Sequence, residues 1–142
     1  MPSWLVWVGL AVIALAALLL HIRLAPSDPA RWHLDPLTAP DPTTPNFARL
    51  DLQIDAPPEA VAARLSTRAA AEGGIRLAGD DDHATWILRS RLMGYPDYVS
   101  IRLLPDGAGT RVVALSRSRF GHSDLGVNAA RLARWAAALQ AE

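Results

Sequence analysis

The stretch HATWILRSRLMGYPDYVSIRLLPDGAGTRVVALSRSR, from His83 to Arg119, decides the fold because it contains three apolar runs separated by two turn-like segments. The apolar runs have the composition of strands, and the MGYPD and PDGAG segments carry the proline, glycine and aspartate that favour turns. Connections this short join neighbouring antiparallel strands. This part of the chain therefore predicts an antiparallel sheet.

The residues around this stretch complete an α+β pattern. ARLDLQID, Ala48–Asp55, alternates apolar and polar residues as a half-buried strand does, and AVAARLSTRAAAE has a helical apolar stripe that stops at Gly73 and Gly74. IRLAGD adds a strand, and a last helix has an apolar stripe of Leu125, Leu132, Trp135, Ala136 and Leu139. The predicted order is β-α-β-β-β-β-α, an antiparallel sheet packed by two helices. A helix-grip arrangement and a plainer two-layer sandwich both fit this order.

The segment WLVWVGLAVIALAALLL, Trp4–Leu20, carries no charge. As a helix it would be roughly 26 Å long, which approaches the ~30 Å hydrocarbon thickness of a bilayer. Trp4 and Trp7 lie at one end, where indole rings favour the membrane interface. A cleaved signal peptide is the main alternative, but residues 1–3 include no Lys or Arg and no convincing cleavage site follows. We predict that residues 1–24 are an uncleaved transmembrane anchor.

The next part, residues 25–46, is rich in proline, which disfavours regular helix and central strand. A polyproline-like extension of about 3.1 Å per residue would hold a domain tens of ångströms from the bilayer. Trp32 and Leu34 interrupt the prolines and are expected to dock on the folded part. His33 and Asp35 have metal-ligating side chains, but no cluster of further ligands accompanies them.

The folded domain is predicted to span residues 47–142. The basic residues near the apolar segment, Arg23 and Arg31, follow it, so the positive-inside rule favours a cytoplasmic location for the carboxyl-terminal part. We therefore expect a single-pass protein of the cell inner membrane whose soluble domain faces the cytoplasm.

The composition excludes several classes of function. The formal net charge of the 142 residues is zero, so there is no basic footprint for nucleic acid. The absence of cysteine removes disulfides, thiolate chemistry and zinc-thiolate sites. We predict no metal and no cofactor, and the sequence indicates no particular protein partner.

Two Arg-Ser-Arg tripeptides end the first and third strands of the opening stretch. Hairpin geometry brings both ends to one edge of the sheet, so Arg89, Arg91, Arg117 and Arg119 are expected there. Strand alternation places the two arginines of each tripeptide on one face. His122 follows at the same edge, as does the start of the last helix, whose free amides attract anions. The pattern predicts a site for a phosphate- or carboxylate-bearing small molecule or a lipid headgroup.

Three further residues complete the candidate ligand-binding set. Ser123 or Asp124 is expected to cap the last helix, and Asn128 lies one turn into it, where it can bond back to the loop or orient a ligand. The competing interpretation is that the arginines pair with nearby acids such as Asp97 and Asp124, or simply end the strands in water.

His122, Ser123 and Asp124 are also the residue types of a hydrolase triad. Consecutive residues do not easily hydrogen-bond in series, and GHSDLG has one residue more than the G-x-S-x-G nucleophile elbow. An enzyme that uses His122 or Asp124 is therefore an alternative, as is a purely structural envelope-associated module. We predict no catalytic residue and favour a non-catalytic binding or scaffolding module.

The last third of the chain resembles the family called domain of unknown function 1499. Its pattern S-x-S-R-x-G-x-S-D-x-G-V-N matches Ser116, Ser118, Arg119, Gly121, Ser123, Asp124, Gly126, Val127 and Asn128, and the resemblance covers roughly residues 46–139. The resemblance implies a shared fold and, in several members, a membrane-associated habit; it implies no established activity. Many members carry cysteines near the start of the domain, whereas this chain has none.

Overall fold

A computed structural model describes residues 2–141. Its elements, in chain order, are α1 (Ser3–Leu24), α2 (Pro29–Trp32), β1 (Phe47–Ile54), α3 (Pro58–Ala71), β2 (Ile75–Gly79), β3 (His83–Arg89), β4 (Pro96–Asp106), β5 (Gly109–Ser118) and α4 (Val127–Ala141). The strands form one antiparallel sheet in the order β1-β5-β4-β3-β2. The predicted α+β fold, with an apolar amino-terminal helix and two helices packed on the sheet, is confirmed.

The hairpin β4–β5 forms the centre of the sheet. Its turn pairs Asp106 with Gly109, and Gly107 adopts a positive φ of 60°, which glycine tolerates without a steric penalty. Because β4 also pairs with β3, and β5 with β1, the two central strands are hydrogen-bonded on both sides. The hairpin stretch read from the sequence therefore organises the whole sheet.

Helices α3 and α4 contact each other and cover the same face of the sheet, which we call the inner face. Trp86 of β3 and Trp135 of α4 meet edge to face in the core, with ring centroids 6.3 Å apart. One predicted member of the α4 stripe is wrong. Leu125 lies before the helix and is 94% exposed, because the capping loop ends only at Gly126.

The opposite, outer face of the sheet is covered by residues 26–45, which we call the linker. Trp32 is buried and stacks on Tyr98 of β4, as expected for a docking residue, with ring centroids 4.2 Å apart. Arg49 of β1 donates to the carbonyl oxygens of Pro36 and Ala39 and to Asp41. The expectation of an extended spacer is wrong, since aromatic and guanidinium groups of the sheet bind the linker along its length.

Two histidines add to this contact. The rings of His33 in the linker and His83 in β3 stack with centroids 4.1 Å apart. His33 Nδ1 lies 2.8 Å from Thr85 Oγ1, and His83 Nε2 lies 3.2 Å from the Leu34 carbonyl oxygen. The His33 ring, which the sequence analysis considered as a metal ligand, thus contacts the sheet.

Helix α1 ends at Leu24 because Pro26 disfavours helical backbone at Ala25, whose ψ is 121°. Within residues 2–141, α1 is the one helix long and apolar enough to cross a membrane, and a signal sequence would pass the same test. Its last turn touches the folded domain. Arg23 Nη2 donates to the Leu92 carbonyl oxygen at 2.9 Å, and a Cβ at Gly94 would lie 2.7 Å from Arg23 Cγ.

Candidate functional site

The two Arg-Ser-Arg tripeptides lie at the same end of the sheet. Arg89 pairs with Pro96 at the end of β3, and Ser118 pairs with Asp97 at the end of β5, so both strands finish beside the start of β4. We call this end, formed by residues 89–95 and 117–126, the α1-proximal rim, because Arg23 of α1 contacts it. The predicted meeting of the tripeptides at one edge is found.

Arg117 and Arg119 do not point toward Arg89 and Arg91 as one cluster, because they bind the linker on the outer face. Arg117 donates to the Trp32 carbonyl oxygen at 3.2 Å and stacks over its ring at 4.7 Å. Arg119 donates to the Pro26 carbonyl oxygen at 2.8 Å. Burial lowers the pKa of Arg117, and the neighbouring Arg31 lowers it further, partly offset by Tyr98.

Arg89 and Arg91 instead border a cavity of about 710 Å³ between β3, the end of α3 and the first half of α4. The predicted site did not include the other basic residues of this cavity, Arg131 and Arg134, or the one acid that lines it, Glu72. Since α3 and α4 are far from β3 in sequence, spacing alone gives no sign of this meeting. We call this feature the arginine cavity.

The arginines of this cavity differ in how far they are already engaged. Arg134 lies 3.4 Å from Glu72, which also pairs with Arg68 at 3.1 Å. Arg89 donates to the Gly94 carbonyl oxygen at 3.0 Å. Arg91 is exposed, and across residues 2–141 no hydrogen bond or ion pair engages it. The cavity therefore has an excess of positive charge and one guanidinium that remains available.

The loop before α4 is shaped by its own backbone contacts. Asp124 accepts hydrogen bonds from the amides of Gly126 and Asn128, and Ser123 accepts one from Leu125. Burial would raise the pKa of Asp124, but the hydrogen bonds from Asn128 and Gly126 outweigh it and leave the pKa below its ordinary value. Asp124 is thus a helix cap as expected, while His122 is exposed on the loop surface.

Asn128 is fully buried and connects this loop to the sheet. Its Nδ2 group shares its two hydrogens among the Asn46 carbonyl oxygen, Ser118 Oγ and Asp124 Oδ2, at 3.0, 2.9 and 2.7 Å. Its Oδ1 accepts from Ser116. These contacts explain physically why the motif places serines, an aspartate and an asparagine at this spacing, because each satisfies the next in a buried network.

A buried ion pair extends the network into the helix. Arg131 Nη2 lies 2.8 Å from Asp97 Oδ2, with both side chains largely buried, and Arg131 Nη1 lies 3.1 Å from Asn128 Oδ1. Neither the burial of Arg131 nor its pairing with Asp97 was predicted from the sequence. Strand alternation did carry a signal, because Asp97 shares the inner face with Val99 and Ile101 and a buried carboxylate needs a partner.

Fold and site together define a two-layer α+β domain that follows an apolar helix and is closed by a motif-encoded polar network. A family model matches residues 21–139, and the chain belongs to that family, described as "Protein of unknown function (DUF1499)". The match includes the linker and the end of α1, so it extends further toward the amino terminus than the resemblance noted above.

Two solved structures share the fold. Protein CV1439 from Chromobacterium violaceum is 15% identical, covers 68% of this chain and 96% of its own, and has a TM-score of 0.55. Protein MLL2253 from Mesorhizobium loti is 12% identical, with coverages of 67% and 94% and a TM-score of 0.52. No curated protein matches this chain. At these identities the likeness concerns the fold alone.

Proposed function

We propose that this protein is a membrane-anchored, non-catalytic module that binds a phosphate- or carboxylate-bearing group in the arginine cavity. The observation that carries the proposal is the composition of that cavity, where four arginines face a single glutamate in a space of about 710 Å³. Guanidinium groups bind such anions through paired, charge-assisted hydrogen bonds. A cavity of this size accommodates a headgroup or a small molecule.

Arg91 and Arg134 are the proposed primary ligands. Arg91 is unengaged within residues 2–141, and the 3.4 Å contact of Arg134 with Glu72 is long enough to be exchanged for an anion. Arg131 lines the cavity, but its pairing with Asp97 gives it a mainly structural role. The predicted site is thus retained at Arg89 and Arg91 and extended to the helices.

The membrane part of the proposal rests on α1. Its length of 22 residues corresponds to ~33 Å of helix, sufficient for one crossing of the hydrocarbon layer. We propose that it is an uncleaved single-pass anchor in the inner membrane, with the domain on the cytoplasmic side, as Arg23 and Arg31 favour. A lipid headgroup and a soluble phosphate compound are then both available to the cavity, and they share the chemistry that it recognises.

The proposal is tested by thermal unfolding of the full chain in detergent micelles with increasing inorganic phosphate, and in nanodiscs with and without anionic lipid. A ligand present at one hundred times its dissociation constant increases the free energy of unfolding by about 2.7 kcal/mol. Stabilisation by phosphate in micelles indicates a soluble ligand, whereas stabilisation only by anionic lipid indicates a headgroup.

Arg91→Ala and Arg134→Ala should each remove most of the stabilisation. Arg111→Ala is the matched control, because Arg111 is exposed on β5 and pairs with Asp51 on the other face of the sheet. Equal responses in all three variants, or no response of the unaltered chain to inorganic phosphate or to anionic lipid, contradict the proposed site.

A further inference from the structure

We infer that the α1-proximal rim lies on the bilayer, with Leu92 and Leu125 inserted into the interface of the membrane that α1 is proposed to cross. The inference rests on the proposed anchor and adds an orientation of the domain and two contact residues. It does not depend on whether the arginine cavity binds a ligand. The occupant of this surface is the lipid interface itself.

The end of α1 fixes the position of the rim. Ile22 is buried, and Arg23 Nη2 donates to the Leu92 carbonyl oxygen at 2.9 Å, so Leu92 lies level with the last turn of the helix. Gly94 permits this close approach, since a Cβ there would meet the Arg23 side chain at 2.7 Å. If α1 crosses the hydrocarbon layer, its last turn lies at the membrane–water boundary, and the rim lies there with it.

Both leucines present their side chains to the surroundings. Leu92 is 83% exposed and Leu125 is 94% exposed, although neither position requires an apolar residue for packing. Leu125 also adopts a positive φ of 53°, a conformation that glycine or asparagine would occupy with less strain. An exposed leucine in a strained loop has no benefit for the fold in water, whereas at a lipid interface its burial is favourable.

The two loops that carry these leucines are joined below their tips. Tyr95, on the loop of Leu92, packs against Phe120, on the loop of Leu125, with ring centroids 6.2 Å apart. A cavity of about 310 Å³ is lined by both rings together with Leu125 and Val127, the latter 48% exposed. The tips therefore form one surface, and aromatic rings beneath it suit the interfacial region.

The charges of the domain favour the same orientation. The exposed positions of the rim include Arg91 and His122, and Arg23 contacts the rim at the Leu92 carbonyl oxygen. The loops at the opposite end of the sheet carry residues 80–82, three consecutive aspartates, and Asp106. An anionic membrane surface attracts the basic end and repels the acidic end, each basic group contributing within about a Debye length of the lipid.

The test uses the absence of cysteine, which allows single cysteines to carry an environment-sensitive fluorophore. The full chain is reconstituted in vesicles of phosphatidylcholine and phosphatidylglycerol that contain spin-labelled lipids as quenchers. Labels at Leu92→Cys and Leu125→Cys should lose emission most strongly with quenchers near the headgroups, at depths of about 5–10 Å. Both positions are exposed, so the substitutions leave the core intact.

Two matched labels separate the possible outcomes. Leu15→Cys, within α1, should be quenched by deep spin labels, and Ala108→Cys, exposed on the opposite hairpin, should not be quenched. If the label at Leu15 is quenched, but the labels at Leu92 and Leu125 are quenched no more than the label at Ala108, the inference is overturned. The proposed anchor is unaffected by that result. An unquenched label at Leu15 contradicts the anchor and the inference together, and equal quenching at Ala108 excludes the proposed orientation.

Discussion

Trp32 and Tyr98 lie face to face with their ring planes 12° from parallel, and this stack joins the linker to the central strand of the sheet. Tyr98 is fully buried, and its hydroxyl oxygen is 2.7 Å from Ser27 Oγ. The guanidinium groups of Arg117 and Arg119 lie 4.7 and 5.7 Å from the Trp32 ring. A segment whose composition indicated an extended spacer is thus part of the folded domain.

Replacing Trp32 should release the linker. Trp32→Ala removes a buried indole from its stack, and we expect a loss of about 3 kcal/mol in the free energy of unfolding. Urea unfolding followed by circular dichroism measures the loss, and faster tryptic cleavage after Arg31 reports the release. Leu37→Ala is the control, because Leu37 is 42% exposed in the same linker. An unchanged cleavage rate in Trp32→Ala contradicts the docking.

Linker docking should weaken as the pH falls below the ordinary pKa of histidine. Burial lowers the pKa of His33, His83 lowers it further, and the nearby Asp80 and Asp35 oppose the shift without cancelling it. The docked state therefore binds fewer protons than the released state. The contribution of neutral His33 to the stability of the docked linker is fully present above a pH of about 6.5. It declines as the pH falls toward the lowered pKa of His33 and changes no further below that pKa.

The measurement is the rate of cleavage after Arg31 by a protease that is active from about pH 8 to about pH 5. The rate on an unfolded substrate at each pH corrects for the pH dependence of the protease itself. His33→Gln keeps a polar side chain beside Thr85 but cannot titrate in this range, so its cleavage should vary less with pH. A pH profile that is the same in both chains assigns the change to other groups.

The buried pair of Asp97 and Arg131 should show strong coupling. Arg131→Met leaves the Asp97 carboxylate buried without a counter-charge, and we expect a loss of about 3–5 kcal/mol. The double variant Asp97→Leu/Arg131→Met should lose much less than the sum of the single changes. Denaturant unfolding of the four chains measures the coupling. Arg134→Met is the control on the same helix, since Arg134 is half exposed. If the effects of the two single changes add up in the double variant, Asp97 and Arg131 are not energetically coupled.

Leu125→Gly should have opposite effects on stability and on membrane contact. Glycine relieves the positive φ, and after the cost in unfolded-chain entropy we expect a gain of about 0.5–1 kcal/mol. The same change removes an apolar side chain from the rim and should reduce the quenching of a label at Leu92. Leu125→Asn is the second variant, because asparagine also tolerates this φ and removes the apolar side chain; Val127→Gly is unsuitable because Val127 begins α4. A loss of stability in both variants would contradict the assigned strain.

The hairpins and the helical stripes could be predicted because each is a local pattern of polarity and turn residues. Residues 83–119 contain their own pairing partners, so the topology of the central strands follows from short connections. The convergence of the two Arg-Ser-Arg tripeptides at one rim followed from the same logic. Strand alternation did not predict that Arg117 and Arg119 would bind the linker on the outer face while Arg89 and Arg91 border the arginine cavity.

The arginine cavity and the Asp97–Arg131 pair depend on contacts between distant parts of the chain. Arg134 meets Glu72 across two helices, and Asn128 meets Asn46 across 82 residues. No local pattern encodes such meetings. The docking of the linker was hidden for a different reason, because proline content is compatible both with extension in water and with an ordered path across a surface.

If α1 crosses a membrane as proposed, the docked linker leaves only a short flexible connection between the lipid and the sheet. Residues 26–45 are bound to the outer face of the sheet, so they cannot act as a flexible spacer that lets the domain move away from α1. A partner of a domain held in this way would have to come to the membrane surface, where the encounter is two-dimensional.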